Sequence, residues 1–237
     1  MGMQFNVTKC KIMHIGRNNP RHTYTMNNIP LTVVEEEKDI GVLIHNSLKP
    51  SKQCSEAARK ANAVLGQISR SFHYRDRNIF IKLYKSHVRS LLEFSVPAWS
   101  PWTEADKLIL ENVQKRAVRM VSGLTGTYKE NLKVLNLQSL EDRRERYDLI
   151  QTYKIIKELD AVKPSVWFNL AGSNSVRQTR LTNNPINILP GRSRLEIRSN
   201  FFSQRVPEKW NNLPDSIKDS RNLATFKRNL TKHMGNL

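Results

Sequence analysis

The chain has 237 residues, 38% of them hydrophobic and 25% charged, which is enough apolar material for one large domain or two small ones. It carries 39 Lys and Arg against 21 Asp and Glu, a formal net charge of +18, and a charge of that size points to a polyanion partner. Cys10 and Cys54 are the only cysteines, there is no CxxC, and no run of about 18 apolar residues occurs. Together these exclude a disulfide scaffold, a cysteine-rich zinc module and a membrane span. The expectation is a soluble chain of a reducing, intracellular compartment, nuclear or cytoplasmic and not secreted.

Residues 9–44 read as short strands, at 9–15, 22–26, 29–34 and, reaching His45, 39–45. A tight turn is expected at Asn27-Asn28, and Gly41 marks a bulge or a close backbone approach. The acidic run Glu35-Glu36-Glu37 is expected in a solvated loop. Two-stranded pieces are not stable alone, so this region must pack on something.

From Ser51 the period changes to 3.6. Cys54, Ala57, Ala58, Ala61, Leu65, Ile68 and Phe72 form one stripe. A second helix, capped by Asp76, should bury Phe80, Leu83, Tyr84, Val88, Leu91 and Phe94, and end where Pro97 disfavours helical geometry at Val96. Lys82, Lys85 and Arg89 fall on its opposite face, with Glu93 four residues beyond Arg89. His87 is placed on the apolar face. A third helix starts at Thr103-x-x-Asp106, a capping-box pattern. It buries Ile109, Leu110, Val113, Ala117, Met120 and Val121, and stops with Gly123 as its C′ residue. Lys115, Arg116 and Arg119 crowd its last turn, where cations also complement the helix dipole.

A short element is expected at residues 129–135, then a long helix from Ser139 to about Leu159. Residues 171–192 are polar and rich in Gly, Asn and Pro, and read as a loop or arm. Arg192, Arg194 and Arg198 lead into a helix with Phe201, Phe202, Val206, Trp210 and Leu213, in which Pro207 demands a kink or a late start. A last helix from Ser220 turns Leu223, Phe226 and Leu230 inward and Lys227, Arg228 and Lys232 outward.

The charge is uneven along this layout. Residues 49–119 hold 14 basic against 6 acidic side chains, and residues 176–237 hold 12 against 4, while the rest is close to neutral. Against these two blocks, chemistry is absent from the pattern. Two-metal nucleotidyl transfer needs clustered carboxylates, and the chain has neither an adjacent Asp pair nor an Asp-x-Asp. The six histidines lack paired spacing, and no GxSxG, GxxxxGK[ST] or GxGxxG occurs. Binding is the better reading: phosphate contacts from helix-borne cations, with Tyr74, Trp99 and Trp102 available to stack on bases or to pack.

Six segments carry a resemblance: FNVTKCKIMHIGRNNP, EEEKDIGVLIHNSLKPSKQC, FIKLYKSHVRSLLEFSVPAWSPW, LENVQKRAVRM, LQSLEDRRERYDLI and SRLEIRSNFFSQRVPEKWNNLP. In this order they resemble the C-terminal part of reverse transcriptases of LINE-type, non-LTR retrotransposons of the jockey and chicken-repeat kind. The resemblance implies the end of the polymerase palm in residues 1–48, with a primer-grip-like hairpin at Lys38-Asp39-Ile40-Gly41-Val42. It implies a helical thumb at 49–123, connecting helices at 124–170 and a basic C-terminal extension at 171–237.

The family's aromatic-Ala-Asp-Asp motif has no counterpart here; Ala105-Asp106 is a single Asp. The expectation is therefore a mainly α chain with a small N-terminal antiparallel β piece, a thumb-like bundle and an irregular basic arm. By the resemblance it is a truncated RNA-directed DNA polymerase remnant, not an enzyme by itself, that grips an RNA or RNA–DNA template–primer duplex. The expected contacts are Lys82, Lys85, Arg89, Lys115, Arg116 and Arg119. No catalytic residue, resident metal, cofactor or small-molecule ligand is expected, since the divalent metal belongs to the intact family enzyme. An upstream palm is a further candidate partner. The alternatives are a polymerase part completed in trans, a protein-interaction module, and a chain that does not fold stably.

Overall fold

A computed structural model describes residues 5–72, 76–173 and 184–235. The chain is mainly helical with small strand pairs at its start, as expected. After one 3-10 turn come β1 (Lys11–Ile12), β2 (Thr25–Met26), β3 (Ile29–Pro30), β4 (Thr32–Val33), β5 (Glu36–Asp39) and β6 (Val42–His45). β2–β3 and β5–β6 are antiparallel hairpins, while β1 pairs with β4 in parallel. Asn27 and Asn28 both take positive φ, 50° and 62°, the tight-turn geometry their side chains tolerate. Gly41 sits in the β5–β6 turn rather than inside a strand, beside Ile40, which also has positive φ. The acidic run is not a loop: Glu36 and Glu37 are paired strand residues of β5, solvent-exposed throughout.

The helices begin with α1 (Ser51–Ser71), whose predicted stripe is buried from Cys54 to Ile68. Phe72, the last residue of that stripe, is exposed. Asp76 caps α2 (Arg77–Leu83) by accepting from the amides of Asn78 and Ile79. The helix then widens into one π turn (Tyr84–Val88), tightens again as α3 (Arg89–Glu93), and breaks at Phe94–Ser95, where Ser95 has φ 51°.

Buried residues recur here every four positions: Phe80, Tyr84, Val88, Leu92 and Val96. In an uninterrupted α-helix such steps drift around the axis, because a turn takes 3.6 residues. The wider π turn takes the drift back. The predicted Leu91 and Phe94 therefore give way to Leu92 and Val96; Leu91 is half-buried, Phe94 exposed, and His87 also faces solvent. Pro97 does not end the helix. The break precedes it, and Pro97 starts a new turn in α4 (Val96–Trp99), where its missing N–H costs nothing.

α5 (Glu104–Arg119) starts as expected, with the Thr103 hydroxyl oxygen accepting from the Asp106 amide at 3.2 Å. Its buried face is Leu110, Val113, Gln114, Ala117 and Val118, so the predicted Ile109 and Met120 lie at its edge. The helix ends before Gly123, which takes its positive φ in the following turn. α6 (Tyr128–Val134) has a full capping box between Thr127 and Glu130, and Ser139 caps α7 (Leu140–Ile156).

Beyond α8 (Pro164–Trp167), β7 (Asn169–Leu170) pairs with β8 (Ile188–Leu189). Part of the predicted arm is thus folded in, with Asn187 and Ile188 buried. α9 (Glu196–Ser199), α10 (Phe202–Asn211), α11 (Asp215–Lys218) and α12 (Leu223–His233) complete the chain. α10 starts late, at Phe202, and Pro207 lies inside it.

Two apolar cores result. The first runs from Cys54 to Leu140 and the second from Leu149 to Leu230. α7 belongs to both: Leu140 and Tyr147 face the first, and Leu149, Tyr153 and Ile156 the second. From Phe5 to Lys49 no residue is fully buried. The hairpins meet the helices mainly at β6, where the Leu43 amide donates to Gln53 Oε1 on α1 at 2.8 Å.

Candidate nucleic-acid interface

α5 carries one triad of predicted cations. Lys115, Arg116 and Arg119 lie off its buried face, and Arg116 and Arg119 are exposed. Lys115 sits over the Tyr128 ring, 5.6 Å from its centre, and Arg116 reaches Asn62 of α1 at 3.2 Å.

The other triad is split by burial. Lys82 is exposed, and Lys85 is half-buried with its Nζ 3.5 Å from the Asn136 carbonyl oxygen. Arg89 does not stand on an open cationic face. Its side chain is only 15% exposed and is directed to Glu93, Nε to carboxylate 3.6 Å.

Glu93 has stronger partners than Arg89. Arg143 of α7 grips it with Nε and Nη2, and the Tyr147 hydroxyl donates to it at 3.1 Å. The carboxylate is saturated, so Arg89 Nε is left buried without a hydrogen-bond partner. Arg146, one turn further along α7, reaches only the Thr231 hydroxyl, at 3.3 Å. Three arginines therefore gather at one carboxylate, with Lys85 near enough to feel the charges of Arg89 and Arg143.

Their proton affinities record the crowding. Burial lowers the pKa of Lys85, and the charges of Arg89 and Arg143 lower it further. Burial and then Arg143 lower that of Arg89, and the same two causes lower that of Arg146. For Arg143 burial is the largest single cause and acts in the same sense, but the hydrogen bond to Glu93, the Glu93 charge and Tyr147 together outweigh it and the net shift is upward. The arginines stay charged regardless. An anion supplied from outside would relieve the repulsion.

α6 lies between the two sets. Its first residue, Tyr128, lies under Lys115, and Asn136 beyond its end meets Lys85. The exposed Lys129 and Lys133 of α6 fall between them. Beside Lys82 and Lys85 a depression of about 270 Å³ is also bordered by Arg77, Val134 and Asn136. Beneath this belt Gln114, fully buried, ties the elements together. It accepts from the Tyr84 hydroxyl at 2.7 Å and donates to Tyr128 Oη and the Gln138 carbonyl at 3.0 Å. Glu111 accepts from the Tyr128 hydroxyl and from the Leu140 amide that opens α7.

Arg143 and Arg146 are contacts that sequence reasoning did not single out. The only signal was the basic run Arg143-Arg144-x-Arg146 at the head of the long helix. Of the aromatic candidates, Trp99 is core, its indole N–H donating to the Phe94 carbonyl at 2.8 Å, and Trp102 is half-buried. Tyr74 lies outside the described residues, as do Arg177 and Arg180 of the expected arm.

Among the described residues no group of His, Cys, Asp and Glu could hold a metal ion, and no helix is long and apolar enough to cross a membrane. No family model, curated protein or solved structure matches the chain.

Proposed function

We propose that the chain binds a nucleic-acid duplex, RNA or an RNA–DNA template–primer, with the belt around α6, as a non-catalytic remnant of a LINE-type reverse transcriptase acting in a reducing, intracellular compartment. The observation that carries this is the cation excess at Glu93: Arg89, Arg143 and Arg146 share one carboxylate, and Lys85 lies within the field of Arg89 and Arg143. Phosphate oxygens are the ligand that such an excess suits, and arginine forks match them in geometry. Lys82, Arg116 and Arg119 extend the belt at exposed positions, and Lys115 at a half-buried one. Arg89, buried behind the Arg143–Glu93 pair, supplies field rather than a direct contact.

Cations outside the Glu93 ion pairs are the ones to test. Lys82, Lys85, Arg116 and Arg119 changed together to Ala should weaken duplex binding. The slope of log K against log salt should flatten by about 0.9 for each phosphate that is no longer neutralised. Unchanged affinity and slope in a folded variant would move the interface off this belt.

A second reading concerns the N-terminal hairpins. Ile29 and Val33 on strands, Ile40 in a turn, and Ile15 and Tyr24 on the segments between are exposed apolar residues with no buried core of their own. In an intact polymerase of the resembled family that edge would meet the palm. Primer extension that appears only when a palm fragment is added would favour this reading, in which the catalytic carboxylates and the metal come in trans.

A further inference from the structure

Two clefts adjoin on the side of the molecule where α4, α5, α7 and α10 meet. One is polar, about 200 Å³, and holds Lys107, Arg144, Arg205 and Lys209 with Glu141, Glu145 and Asp148. The other is apolar, about 300 Å³, and lies between β6 and the α9–α10 corner, with Trp99, Trp102, Ile197 and Phe201 in its wall. Ser100, Trp102, Asn200 and Arg205 border both.

The charges of the polar cleft do not balance. Glu141 is paired to Lys107 at 2.8 Å, Glu145 to Lys209, and Asp148 to both donors of Arg205 at 2.8 Å. Each acid has its base, and Arg144 is left over. It is 5% exposed, and its Nη2 is buried with no hydrogen-bond partner. Glu111, Glu141 and Asp148 act on its charge without hydrogen-bonding it among the described residues; a buried guanidinium donor without an acceptor is costly, and its fork matches an oxyanion.

We propose that the two clefts form one nucleotide site, with a phosphate held on Arg144 in the polar cleft and the base laid against Trp102 in the apolar one. The shared wall sets the ligand class. The cleft that holds Arg144 meets the apolar one at Trp102, Ser100, Asn200 and Arg205, and of these the half-buried Trp102 ring is the one on which a base can stack. Together the clefts fall in the usual size range of small-ligand pockets, about 300–1,000 Å³. The site uses none of the six cations expected from the sequence, so it stands independently of the duplex reading.

Calorimetric titration of the full chain at fixed ionic strength with AMP, UMP, adenosine and inorganic phosphate tests it. AMP and UMP should bind about tenfold tighter than phosphate, the gain from one stacked base, and adenosine should bind more weakly than either nucleotide. Trp102→Ala should bring AMP down to the affinity of phosphate while leaving phosphate binding unchanged. Arg144→Gln should abolish both. Circular dichroism melts check that each variant folds; if Arg144→Gln does not, the Trp102→Ala comparison still decides. AMP no tighter than phosphate, adenosine as tight as AMP, or AMP binding unaffected by Trp102→Ala would overturn the proposal.

Discussion

Cys54 illustrates how position, more than residue type, sets chemistry. Burial pushes its thiol up to about 12, the neighbouring Asp106 adding to the effect. Only the thiolate is nucleophilic, so at pH 8 Cys54 is inert while the chain stays folded. Cys10 is half-buried on the lightly packed N-terminal segment. A colorimetric thiol titration at pH 8 should show one reactive group per native chain and two in denaturant. Gln114 is the other telling residue. Truncating it to Ala leaves the buried Tyr84 hydroxyl and the half-buried Gln138 carbonyl without these partners. An unsatisfied buried group costs roughly 1–3 kcal/mol, so denaturant melts of Gln114→Ala should lose at least about 1 kcal/mol. Neither role was legible beforehand. Periodicity marks apolar positions, and a buried Gln or Arg144 reads as solvated until the elements around it are placed.

At the scale of elements, most starts were written locally. Asp76, Thr103 and Ser139 each cap the helix their spacing announces. The π turn was not readable, because a 3.6-residue template cannot represent a five-residue turn. The four-residue recurrence of Phe80, Tyr84, Val88, Leu92 and Val96 was its only trace. The β5–β6 hairpin turn also depends on a distant partner. Gly41 has φ 87°, and a Cβ there would stand 3.0 Å from the Phe94 ring. Gly41→Ala thus combines backbone strain with a clash. The hairpin contributes little to either core, so the damage should stay local. Hydrogen exchange should quicken at the amides of β5 and β6, with protection in α1 and α5 unchanged. Loss of protection throughout α1 would mean that the hairpin is part of the cooperative unit.

For the whole molecule, α7 is the common member of the two cores, and this arrangement places Arg143 and Arg146 beside Glu93. The sequence showed two basic blocks, but the cation cluster at Glu93 draws Arg143 and Arg146 from the near-neutral stretch between them. Charge counted along the chain and charge gathered in space differ because packing selects which ions lose their counterions. The most direct test of the duplex reading is the affinity of the full chain for a labelled RNA–DNA primer–template between about 50 and 200 mM salt, the range over which phosphate-driven binding falls steeply. We expect tight binding at low salt, a steep decline across the range, and a flatter slope for the variant lacking Lys82, Lys85, Arg116 and Arg119. Binding that is absent in a folded chain, or indifferent to salt, would contradict the duplex reading.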